Sequence, residues 1–90
     1  MPLTWRYPTQ LREALGRLGL DPKPQTPPVF ARSAVNDLYR YELRRLRDRH
    51  KAGLVAREPF RDAVIALRKK YWVLTLQIQA WEKICGGESA

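Results

Sequence analysis

The chain has 90 residues, 44% of them hydrophobic, and carries 17 Lys and Arg against 9 Asp and Glu, a formal net charge of +8. That length builds one small core rather than two domains, and that hydrophobic share excludes wholesale disorder. The cationic excess favours an acidic partner: an acidic protein, a nucleic acid or an anionic membrane surface.

Residues 1–8 read as an extended arm whose aromatics, Trp5 and Tyr7, need a surface to pack on. A short helix follows over 9–19. Thr9 is its expected N-cap, Leu11, Ala14, Leu15 and Leu18 form its apolar stripe, and Gly19 supplies the left-handed residue that ends it. Ten or so residues are marginal as an isolated helix, so this one must lie on a larger body. Residues 21–31 hold Pro22, Pro24, Pro27 and Pro28 and predict an extended strap, anchored to the core by Val29 and Phe30. Pro24-Gln25-Thr26-Pro27 has the spacing of a PxxP ligand, but the strap role suits it better.

The second helix is predicted over 33–52, with Ser33 as N-cap and Gly53 as stop. Val35, Leu38, Tyr39, Leu43 and Leu46 recur at helical spacing as its core face. Arg40, Arg44, Arg47 and Lys51 recur at the same spacing on the opposite side, a cationic ridge suited to an acidic partner. Glu42 falls within the apolar face and needs a cation, with Arg45 and Arg49 the candidates in its own helix.

After a short reversal, Pro59 takes the first position of a long helix over 59–85. Phe60, Val64, Leu67, Tyr71, Leu74, Ile78, Trp81 and Cys85 alternate by four and three along it. A second set, including Trp72, Val73, Leu76, Ala80 and Ile84, falls roughly opposite and marks an apolar interface. A helix apolar on two faces must be covered on both. The expected architecture is therefore all-α: an antiparallel hairpin whose longer helix overshoots its partner by roughly 10 Å. The first helix and the strap, or a second protein, cover the overhang. Gly86-Gly87 ends the last helix, and 86–90 form a frayed tail.

Catalysis is not expected. There is no Gly-rich phosphate loop, no metal-ligand cluster and no paired nucleophile and base, and His50 and Cys85 lie far apart on the predicted hairpin. No cofactor is implied. The lone Cys85 excludes an internal disulfide and suits a reducing, intracellular compartment. No apolar run approaches the ~18 residues of a transmembrane helix, and no secretory signal core opens the chain.

Leu38-Tyr39-Arg40-Tyr41-Glu42-Leu43-Arg44 resembles the signature of the LYR-motif proteins, small basic helical accessory factors of mitochondria. Arg57-Glu58-Pro59-Phe60-Arg61 is similar to their second element. The resemblance implies a mitochondrial matrix protein whose cationic helix docks an acidic acyl carrier protein, in support of iron–sulfur delivery or respiratory-complex assembly. Tyr39, Arg40 and Arg44 would face that partner, with Phe60 the aromatic of the second element. The leading expectation is a non-enzymatic interaction module or assembly factor for an acidic macromolecule, with self-association through the apolar interface. Nucleic-acid binding through the arginine ridge, joined by Arg61, Arg68 and Lys69, is the alternative. Membrane-surface association ranks third, because the cations and the strongest apolar residues do not share one helix.

Overall fold

A computed structural model describes residues 4–86. The described chain is all-α: α1 (Thr9–Arg17), α2 (Pro28–Lys51), α3 (Arg57–Lys70), a 3-10 turn (Trp72–Thr75) and α4 (Ile78–Cys85). Of the predicted arm, residues 1–3 lie outside the described residues, as do residues 87–90 of the predicted tail.

Helix α1 buries Leu11, Ala14 and Leu15. It ends in a Schellman turn: Gly19 has φ 85°, the Leu20 N–H donates to Leu15 C=O at 2.9 Å and the Gly19 N–H to Gly16 C=O at 3.0 Å. Thr9 is not the cap; Pro8 precedes the first turn and no side chain caps it. The arm is stitched down at three points. Trp5 N–H donates to Pro24 C=O at 2.7 Å, Arg6 N–H to Cys85 C=O at 2.8 Å, and the Tyr7 hydroxyl to Thr26 C=O at 2.7 Å.

The strap is shorter than its composition suggests. Helix α2 starts at Pro28 rather than after Ser33, because a proline at the first helical position has its φ already set and lacks only an N–H that would have no partner there. Pro28 is buried, while Val29 and Phe30 point outward, Phe30 at 66% exposure, so neither anchors the strap. Helix α2 thus runs 24 residues, about 36 Å at 1.5 Å per residue.

A second Schellman turn reverses the chain at Gly53, φ 78°, with Leu54 N–H on Arg49 C=O at 2.9 Å. The His50 ring links Nδ1 to Val55 C=O at 2.8 Å and stacks on Phe60 with centroids 4.3 Å apart. Helix α3 begins at Arg57, so Pro59 occupies its third position, still within the turn whose N–H groups lack helical acceptors. Contacts of His50 with Phe60 and of Glu42 with Lys70 set α2 and α3 antiparallel.

The predicted rod over 59–85 is broken. Helix α3 stops at Lys70, Tyr71 takes φ −104° and ψ 35°, and the chain passes through the 3-10 turn and an extended Leu76-Gln77 before α4. A straight rod would carry its second apolar face past the end of its neighbour. The bend instead folds one member of each face, Trp81 and Val73, into the core beside the first half of α2 and buries both completely, while Trp72 and Ile84 stay open. Breaking a helix frees carbonyls, and four of those around this bend accept from side chains. Trp81 Nε1–H donates to Val73 C=O at 3.0 Å. Arg32 of α2 donates from Nε to Leu76 C=O at 2.9 Å and from Nη2 to Leu74 C=O at 3.1 Å. The Thr75 hydroxyl donates to Trp72 C=O at 2.7 Å.

The molecule is elongated, 54 × 20 × 17 Å. Its most deeply buried side chains (Trp81, Leu15, Val35, Val73, Pro28 and Cys85) all belong to one end, here called basal, where arm, strap, α1, the 3-10 turn and α4 close over α2. The distal end is α2 and α3 alone.

Candidate protein-interaction face

Advancing 100° per residue places Arg40, Arg44, Arg47 and Lys51 within about 60° of one another on α2, turned well away from α3. All four are exposed, and with Leu43 and Asp48 they line a shallow depression. Helix α3 carries a matching row. Arg57, Arg61 and Arg68 lie within about 40° of each other and line a larger depression together with Glu58, Phe60, Val64 and Ile65.

Both rows are displaced in the same rotational sense from the line of contact between the two helices. On antiparallel helices that puts them on one side of the hairpin. The Glu42–Lys70 pair marks the opposite side. Each row therefore flanks the same seam, whose floor is Leu43, Phe60 and Val64, all only partly buried. Neither the Lys23–Asp21 nor the Lys70–Glu42 ion pair draws on any of these seven cations. Seven cations against three neighbouring acids, along about 17 Å of each helix, create a local positive potential.

Glu42 does not pair within its own helix. Lys70 Nζ reaches its two carboxylate oxygens at 3.2 and 3.1 Å, and the Tyr71 hydroxyl donates to it as well. Burial pushes the Glu42 carboxyl up, but the hydrogen bonds from Tyr71 and Lys70 and the charges of Lys70 and Arg45 outweigh it, holding the carboxyl below its usual range. Burial, then the hydrogen bond to Glu42 and its negative charge, push the Tyr71 phenol well up. Tyr39 sets its ring edge-on to Tyr71, centroids 5.5 Å apart, so it is a packing residue and not on the open face.

The sequence-predicted apolar interface divides. Val73 is fully buried, and Leu76 and Ala80 are half-covered by the chain itself; Trp72 at 36% and Ile84 at 46% keep open surface. Cys85 is buried, and burial pushes its thiol up to about 11. Burial, then the neighbouring Cys85, push Tyr7 up to about 12. No group of three His, Cys, Asp or Glu among the described residues is arranged to hold a metal ion. No described helix is long and apolar enough to cross a membrane.

The α2 row was legible in the sequence as a four/three repeat, and Arg61 and Arg68 stood out as further cations. Arg57 did not. Its own spacing to Arg61 was visible, but which side of α3 meets which side of α2 is a property of the packed pair. Lys69 falls outside the face. The chain matches no family model, no curated protein and no solved structure.

Proposed function

We propose that this chain is a non-enzymatic interaction module that binds an acidic protein through the distal face of α2 and α3. The observation that carries this reading is the double row of unpaired cations bracketing one seam. Surface cations are normally interspersed with acids in like number; here seven cations face three acids, Asp37 and Asp48 beside the α2 row and Glu58 beside the α3 row. The apolar floor favours a protein over a nucleic acid, whose phosphate backbone asks only for cations. The strings that resemble the LYR-motif signature contribute Arg40, Arg44, Arg57 and Arg61 to this face and Phe60 to its floor. An acyl carrier protein is accordingly the first acidic partner to try, and assembly or accessory work the role that fits.

The test is a pull-down at low ionic strength with the intact chain and with Arg40→Glu, Arg44→Glu, Arg47→Glu combined. Exposed pairs contribute a few tenths to one kcal/mol each, so reversing three should weaken capture on the order of ten- to hundredfold. The gap should narrow as added salt shortens the Debye length below ~10 Å. Equal capture by both chains at low salt defeats the proposal.

A further inference from the structure

At the basal end the seam of α2 is closed by other segments, and Val35 there is inaccessible to water. At the distal end the same helix meets only α3. Two antiparallel helices leave a groove along each side of their contact line, and a third helix packs into such a groove in a bundle. The back groove is bridged by Lys70 and Glu42 at its basal limit. The depression beyond them, lined by Arg45, Leu46, Arg49, Ala63 and Leu67, carries the Glu42 carboxylate, which disfavours an acidic occupant. The front groove is open, with Leu43, Phe60 and Val64 on its floor.

We infer that the front groove receives one acidic amphipathic helix of the partner protein, lying along the hairpin as the third helix of a bundle. This inference rests on the acidic-partner reading above and specifies the shape of that partner. The chemistry of the groove selects it. An apolar floor between two cationic rims is complementary to an apolar stripe between two acidic flanks, which is the pattern of an amphipathic helix with acids on either side of its apolar face. Long Arg and Lys side chains reach over a docked helix while their stems extend its apolar contact. Arg40 to Lys51 covers about 17 Å, enough for roughly three turns of the incoming helix. A second copy of this chain is a poor occupant, because it would bring its own +8 charge to a cationic groove. A disordered acidic segment would satisfy the rims and leave the floor wet.

Two synthetic peptides of identical Leu, Glu and Ala composition test this, each about 14 residues long, or four helical turns. One places its leucines at positions i, i+3, i+4 and i+7; the other scatters them around the helix. Each is titrated into the isotope-labelled full chain at about 20 mM salt, with poly-glutamate and a short DNA duplex as further arms. The inference expects the striped peptide to bind about tenfold tighter than the scattered one. It also expects methyl shifts at Leu43 and Val64 and a ring shift at Phe60. Val64→Thr, which keeps the branched shape, should remove most of that preference while leaving the circular dichroism spectrum unchanged. Equal binding of both peptides and poly-glutamate overturns the helix inference and leaves the acidic-partner reading standing. Binding of none of the acidic probes overturns both. Tighter binding of the duplex than of any peptide overturns both in favour of a nucleic-acid partner.

Discussion

The two ends of α2 receive opposite treatment from the same chain. Around Val35 the arm, strap, α1, 3-10 turn and α4 converge, and polar groups released by the bend are recaptured by Trp81 and Arg32. Around Leu43 and Leu46 a single neighbour leaves most apolar contacts half-exposed, and cations outnumber acids among the surrounding charges. The difference teaches that stability and binding are separated along the length of one helix. The basal end holds the buried core and leaves open only separate apolar side chains such as Phe30, Trp72 and Ile84. The distal end retains too little buried area to hold the molecule together by itself.

The largest expected effect comes from matched aromatic truncations at the two ends. Trp81→Ala removes a fully buried indole and its hydrogen bond to Val73, and should cost about 3–5 kcal/mol, much of the stability of a domain this size. Phe60→Ala, at the half-buried distal site, should cost clearly less, about 1–2 kcal/mol. Urea denaturation of both variants measures the gap; equal losses would erase the division between the ends. Arg32→Leu comes next. It leaves the carbonyls of Leu74 and Leu76 without their charged donor, at a cost of about 1.5–3 kcal/mol. Arg32→Lys should recover only part of this in the same denaturation series, because a single ammonium lacks the fork that spans two carbonyls.

The smallest effect sharpens the boundary between the ends, where Glu42 joins α2 to Lys70 and Tyr71. Its carboxyl is held lower in the folded chain than in the unfolded one. Its stabilising contribution is therefore complete above the unfolded value and is lost as pH falls through the folded value. Thermal melts should show the intact chain more stable than Glu42→Gln at neutral pH, with the gap closing below about pH 4. A gap independent of pH would mean that the charge of Glu42 contributes nothing.

Elements fixed by local chemistry were legible in the sequence. Helix α1 with its Gly19 stop, the Gly53 reversal and the apolar faces of α2 and α3 follow from spacing and glycine conformation. The start of α2 was also written locally, in Pro27-Pro28, but competed with the capping signal of Ser33. The bend after Lys70 was not legible. Its stripe from Phe60 to Cys85 is continuous, so a straight and a bent helix satisfy the same periodicity. Only donors distant in sequence, Arg32 above all, decide between them. The candidate face divides the same way: the row of Arg40, Arg44, Arg47 and Lys51 belongs to one helix and could be read, whereas the second rim and the shared floor exist only once α3 is docked.

The bond from Arg6 N–H to Cys85 C=O has a topological consequence. It brings the beginning and end of the folded path together, so the backbone describes a nearly closed circuit whose far turn is at Gly53. A circular permutant that links the two extremities and is reopened at that turn keeps every basal contact. Cargo fused beyond either extremity would hang from the basal end, roughly a molecule's length from the cationic groove.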